Sequence, residues 1–209
     1  MQIVAVTKRW PAADVVALAE LGIGHVGENR LQEAAAKRVE VAQVAEVAVE
    51  GLVWHFIGQL QTNKAKAVAA FIDQVDTVDR PALVTALARG AAGHGRTVGV
   101  LLQVSLADDP HAERHRGGCP PDEVPDLADA VAACDHLDLR GVMGMAPLGG
   151  DPARAFAILA DAAQVVQGGH PSARQISAGM SADFGFAIAA GATHVRLGTA
   201  ILGERPVVG

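Results

Sequence analysis

The stretch Arg174-Gln-Ile-Ser-Ala-Gly-Met-Ser-Ala-Asp-Phe-Gly-Phe-Ala-Ile-Ala-Ala-Gly-Ala-Thr-His-Val-Arg-Leu-Gly-Thr199 holds one α/β repeat in miniature. Residues 174–177 read as a strand, 182–191 as an Ala-rich helix and 194–197 as a second strand. Gly191 sits just past the helix, where a left-handed residue is wanted. A strand, a helix and a strand in succession imply a parallel βαβ unit.

The same alternation extends back to the start of the chain. Strand-like runs occupy 2–7, 24–26, 53–57, 74–78, 97–104 and 138–143, and helical patterns fill 11–22, 30–48, 63–72, 80–93, 122–134 and 152–168. Asp14, Asp122 and Asp151 lie near helix starts, and Gly22 follows a helix end. Eight strand candidates predict a closed (β/α)8 TIM barrel, with an open doubly wound sheet as the other arrangement of such units. No linker or composition break divides residues 1–209, so one domain is expected.

A barrel carries its functional groups just after its strands. Lys8 follows the first strand, Glu28-Asn29 the second and Gly58-Gln59 the third. Ser177-Ala-Gly-Met-Ser181 follows the seventh, and Gly198-Thr199 follows the eighth. Closure places strand eight beside strand one and brings Arg196 near Lys8.

Composition excludes several classes of function. A net charge of −6 and 3% aromatic content suit neither phosphate-backbone binding nor base stacking, so nucleic acid is not an expected partner. No apolar run is long enough to span a bilayer, and Lys8-Arg9 follow a β-like run rather than precede an apolar one, the wrong order for a secretory signal. A cytoplasmic protein is expected. Cys119 and Cys134 form neither a disulfide framework nor a metal-ligand pair. His111-Ala-Glu113-Arg-His115 is not a zinc-helix motif, and Pro110 with Gly117-Gly118 marks a loop there, so no metal is expected.

Other tempting residues have plainer readings. His55 lies mid-strand as a satisfied core or pocket histidine, and Met143 and Met145 read as barrel packing. Cys119, in Gly-Gly-Cys-Pro-Pro, reads as an exposed but unactivated thiol. Lys64 and Lys66 read as a solvated face, with Lys64 adding positive potential near the site.

The chemistry begins with Lys8. A lysine at the end of a strand, partly buried, becomes a Schiff-base nucleophile when burial lowers its pKa. The hydroxyls, glycines and backbone N–H groups after strands seven and eight suit a phosphate dianion. A Schiff-base lysine facing a phosphate cup suggests pyridoxal 5′-phosphate. Arg196 then faces the pyridine nitrogen, keeps it unprotonated and weakens the ring as an electron sink.

The segments Ile3-Val-Ala-Val-Thr-Lys8, Val26-Gly-Glu-Asn29, Trp54-His-Phe-Ile-Gly-Gln-Leu-Gln-Thr-Asn-Lys64, Arg140-Gly-Val-Met143, Ser177-Ala-Gly-Met-Ser181 and Val195-Arg-Leu-Gly-Thr199 run in order along the chain. Together they resemble the pyridoxal phosphate homeostasis proteins, a YggS-like family related to the alanine racemase N-terminal barrel. The resemblance implies an aldimine on Lys8 and phosphate contacts from Ser177, Ser181, Gly198 and Thr199. It also implies Arg196 at the pyridine nitrogen and Asn29 lining the ring pocket. It implies intracellular cofactor buffering or delivery, with pyridoxal phosphate-dependent apoenzymes as partners and a monomer or weak dimer as the working state.

Efficient turnover is not expected. Racemases related to this family take a second base, a tyrosine, from another domain, and this chain has 0 tyrosines. An open pocket also supplies little electrostatic preorganisation. The alternatives are a weak racemase or another Schiff-base enzyme such as an aldolase, and an apo barrel serving only as an interaction module.

Two departures from the family pattern carry expectations. Relatives have a helix before the first strand, whereas this chain starts on that strand. The natural start is therefore expected upstream of Met1, with one apolar flank of the barrel left bare. Phe184-Gly185-Phe186 stands where relatives carry an acidic residue, and Gly185 weakens its helix by roughly 1 kcal/mol relative to alanine.

Overall fold

A computed structural model gives the fold and describes residues 1–44, 51–107 and 117–204. Eight parallel strands close in sequence order: β1 (Gln2–Val6), β2 (His25–Glu28), β3 (Val53–Phe56), β4 (Gln74–Val78), β5 (Val98–Val104), β6 (Leu137–Gly144), β7 (Gln175–Ser177) and β8 (His194–Leu197). The last strand returns to the first, with Val4 opposite Arg196. The open-sheet alternative is thereby set aside.

The helices are α1 (Ala12–Glu20), α2 (Leu31–Val44), α3 (Ala65–Ala69), α4 (Pro81–Gly93), α5 (Val124–Ala132), α6 (Pro152–Gly169), α7 (Phe184–Ala189) and α8 (Thr199–Leu202). Their apolar faces pack Val15, Leu18, Leu83, Leu87, Phe156 and Leu159 into one continuous core. Every residue of β4 and β5 is buried, because helices cover one face of these strands and the barrel interior the other. Pro152 occupies the first turn of α6, and the Asp151 carboxylate accepts the Ala153 N–H at 2.9 Å, a local start signal written in sequence.

Some boundaries differ from the sequence reading. The predicted helix over 63–72 is a 3-10 turn (Thr62–Lys64) followed by the short α3. Likewise α7 covers less than 182–191: the Asp183 carboxylate accepts the Met180 N–H at 2.6 Å, favouring a turn where the helix was expected to begin. β2 runs on through Glu28, which joins the ladder opposite Phe56. The far end of the helix predicted over 30–48, and the His111, Glu113 and His115 segment, lie outside the described residues.

Gly141 lets β6 approach β7. Its φ is +148°, and a Cβ there would lie 1.9 Å from the Gln175 carbonyl oxygen. Met1 and Ile3 are exposed at the start of β1, while Val4 and Ala5 are buried.

Candidate functional site

The turn after β1 is built from both sides. Trp10 N–H returns to the Thr7 carbonyl at 2.9 Å, enclosing Lys8 and Arg9. Arg9 adopts a left-handed φ of 65°, and its N–H donates to the Glu33 carboxylate. Beneath this turn lies a buried ion pair: Lys37 Nζ is 2.6 Å from Glu28 Oε1 and donates to the Thr7 carbonyl at 2.7 Å. The Thr7 hydroxyl donates to the same Glu28 oxygen at 2.7 Å. Burial pushes the Glu28 carboxyl up from its ordinary pKa, opposed by the Lys37 and Thr7 hydrogen bonds. Among the described residues, Glu28 Oε2 has no hydrogen-bond partner.

At the C-terminal mouth a cavity of about 210 Å³ is lined by Lys8, Asn29, Ser181, Arg196, Gly198 and Thr199. Barrel closure thus brings residues from opposite ends of the chain to one place. Val6, Trp10, Ile57, Met145, Met180 and Gly203 complete the wall. Ile57 and Met145 each lie one residue beyond a strand, on β3 and β6, so the strand-end rule that pointed to Lys8 also points to them. The packing role expected of both methionines therefore holds for Met143, which is in the core, while Met145 faces the cavity.

Ser177 stands apart from the predicted set. It is buried and does not line the cavity: its side chain turns into the barrel, where its Oγ accepts from Arg196 Nη1 at 2.8 Å. Its own proton points to Asp76 Oδ2, 3.5 Å away. Ser177 thus meets Arg196 rather than the cavity wall. That guanidinium is held at both ends, Nη2 donating to the Gly144 carbonyl at 2.9 Å. Burial pulls the Arg196 pKa down from its ordinary value, and the Asp76 and Asp183 carboxylates oppose that shift.

Sequence reading missed Asp76. It is completely buried on β4, and it receives His55 Nδ1 at 3.1 Å and the Gln74 amide at 3.1 Å. His55 Nε2 in turn lies 2.9 Å from His25 Nδ1, so His55 is a satisfied core histidine. Burial alone would raise the Asp76 carboxyl, but His55, Arg196 and Gln74 together hold it below its ordinary pKa. His25, His55 and His194 cluster at the opposite mouth, yet no group able to hold a metal ion occurs among the described residues.

Cys119 is buried rather than exposed, and burial, reinforced by Asp79, pushes its thiol up to about 12. Lys64 borders a second depression, about 420 Å³, that shares Asn29 with the cavity and adds Arg30. Lys66 is exposed, as a solvated lysine should be.

An amine at the end of β1, a buried guanidinium on β8 and hydroxyls at Ser181 and Thr199 meet around one cavity, which defines a class: a closed (β/α)8 barrel with a polar site at the C-terminal ends of its strands. The alanine racemase N-terminal domain family matches residues 1–206. A pyridoxal phosphate homeostasis protein of Corynebacterium glutamicum is 38% identical over 214 residues, covering 99% of this chain and 91% of its own. Its counterpart in Escherichia coli K12 is 36% identical over 206 residues, covering 97% of this chain and 85% of its own. Among solved structures, PipY of Synechococcus elongatus with PLP bound superposes with a TM-score of 0.84 at 35% identity, over 97% of this chain and 92% of PipY. Alanine racemase of C. glutamicum shares the fold at 19% identity and a TM-score of 0.74, with this chain spanning 57% of it. The chain belongs to the alanine racemase N-terminal domain family and, within it, to the pyridoxal phosphate homeostasis proteins.

Proposed function

We propose that this protein binds pyridoxal 5′-phosphate and serves intracellular cofactor homeostasis as a single-domain carrier without efficient turnover. The observation that carries the reading is the meeting of Lys8, Arg196, Ser181, Gly198 and Thr199 around one cavity in a family whose member PipY has a structure with PLP bound.

The residues present fit that cofactor chemically. The Lys8 amine would hold the cofactor through its aldehyde. The hydroxyls of Ser181 and Thr199, with the close approach allowed at Gly198, suit the phosphate. Arg196, buried and clamped at both Nη atoms, suits the pyridine nitrogen as a donor that leaves it unprotonated. Asn29 and Ile57, on the cavity wall, would flank the ring. When bound, the cofactor supplies an electron sink, which an arginine partner weakens.

The same lining supports the non-catalytic part. Among the described lining residues, Lys8 and Arg196 are the ionisable side chains, so the cavity offers no second acid or base opposite Lys8. A two-base racemisation lacks one of its bases on this wall. No helix among the described residues is long and apolar enough to cross a membrane. Cytoplasmic location, a monomeric or weakly dimeric state, and apoenzymes as recipients belong to this same proposal.

Visible absorbance of the purified protein tests it. A yellow band that Lys8→Ala abolishes is expected. Protein that stays colourless with added cofactor would overturn the reading, and turnover of free amino acids well above that of free cofactor would overturn its non-catalytic part.

A further inference from the structure

The polar interior of this barrel is organised around one carboxylate. Asp76 sits on β4 with no solvent exposure, and donors converge on it from separate strands: His55 of β3, Gln74 of its own strand and Ser177 of β7. Arg196 of β8 reaches it through the Ser177 hydroxyl. One tautomer of each histidine satisfies the chain: His25 Nδ1–H donates to His55 Nε2, and His55 Nδ1–H donates to Asp76. In this arrangement Asp76 stands at the end of the chain as acceptor and counter-charge.

We propose that Asp76 is the positioning residue for Arg196: it fixes the guanidinium through Ser177 and supplies the negative charge that balances it beneath the cofactor cavity. The proposal rests on the reading that Arg196 faces the cofactor. A buried guanidinium without a counter-charge is costly, and a buried carboxylate is tolerated only when saturated with donors. Here each condition is met by the other group, with Ser177 as a neutral bridge able to donate to Asp76 while accepting from Arg196.

The charged and titratable groups around Asp76 are known strand by strand. His25 comes from β2, His55 from β3, Arg140 from β6 through its 3.0 Å bond to Gln74 Oε1, and His194 and Arg196 from β8. Asp183 also acts on Arg196 and Asp138 pairs with Arg140, but Asp76 is the fully buried carboxylate of this group, so removing its charge makes the interior more positive. A more positive interior disfavours the protonated form of the Lys8–cofactor imine, whose proton must then be lost at lower pH.

The test uses the cofactor-loaded protein and its Asp76→Asn and Ser177→Ala variants. The readouts are the pH at which half the visible band is lost, the cofactor dissociation constant, and the melting temperature of cofactor-free protein. For Asp76→Asn the half-loss pH should fall by about half a unit or more. For Ser177→Ala, which keeps both charges, that pH should move less, while the dissociation constant should rise about fivefold, the equivalent of one hydrogen bond. A half-loss pH unchanged in Asp76→Asn overturns the proposal, even if that variant melts earlier, because a purely structural role predicts only the lower melting point. Should Asp76→Asn not accumulate as folded protein, Ser177→Ala decides, and an unchanged dissociation constant there overturns it. Failure of the underlying reading is distinguishable, because the unsubstituted protein would then carry no Lys8-dependent band.

Discussion

Lys37 Nζ lies 2.6 Å from Glu28 Oε1, and both side chains are buried under the turn that carries Lys8. The pair ties α2 to the ends of β1 and β2, since the same amine also holds the Thr7 carbonyl. Breaking one partner leaves the other charge in the interior. Lys37→Met should therefore cost about 3 kcal/mol in urea unfolding. Adding Glu28→Gln, which removes the orphaned charge and can still accept from Thr7, should return more than half of that loss. Equal stability of the single and double variants would show that the ion pair is not what destabilises the first.

The histidines at the opposite mouth make stability depend on pH. Burial, followed by the charges of His55 and His25, lowers the His194 pKa from 6.5 to about 4. As pH falls below 6.5 the unfolded chain takes up a proton that the folded chain refuses until about 4. The stabilising contribution is thus present above that window and lost as pH falls through it. Between pH 7 and pH 5 the loss should be about 2 kcal/mol. Urea midpoints at the two pH values measure it, and His194→Gln should remove about that much of the difference. If the variant keeps the full pH dependence, the titration belongs to another group.

Much of this arrangement is legible in the chain because it depends on local pattern. Alternating strand and helix runs predict the closed barrel, and closure alone places Arg196 near Lys8. Six of the seven predicted cofactor residues line one cavity, Ser177 being the exception. The Ser177–Asp76 contact escapes the sequence because strand pattern alone does not say which polar side chains turn into the barrel. Within Gln74-Val-Asp-Thr-Val78 an inward aspartate looks no different from an outward one until its partners on other strands are known. The start of α7 escapes for the opposite reason. It turns on one local bond, from the Met180 N–H to the Asp183 carboxylate, which competes with a helix that the apolar pattern favours.

Cys119 should be inert in the folded protein. Its thiol is buried and raised to about 12, so almost none is thiolate at pH 8. Of the 2 cysteines, Cys134 is the half-buried one and the one open to reagents. A thiol titration should find at most one fast-reacting group in native protein and both in denaturant. Two fast groups in native protein would contradict the burial of Cys119.

Gly58 fixes the position of Asn29. A Cβ at residue 58 would lie 2.3 Å from the Asn29 carbonyl oxygen and 3.0 Å from its Cα, closer than any side chain tolerates. The surrounding backbone has little room to yield: Thr77 Oγ1 donates to the Gly58 carbonyl at 2.7 Å, and Ile57 N–H donates to the Glu28 carbonyl at 2.9 Å. The segment left to move is Asn29 itself, which lines the cavity beside Lys8. Gly58→Ala should therefore cost about 1–3 kcal/mol in stability. It should also weaken cofactor binding by on the order of tenfold, because a displaced wall spoils the fit. Gly24→Ala is the matched comparison: nothing lies within 4 Å of its added carbon, and affinity should be unchanged. An affinity preserved in Gly58→Ala would mean that Asn29 can shift without loss, and that it borders the cofactor rather than holding it.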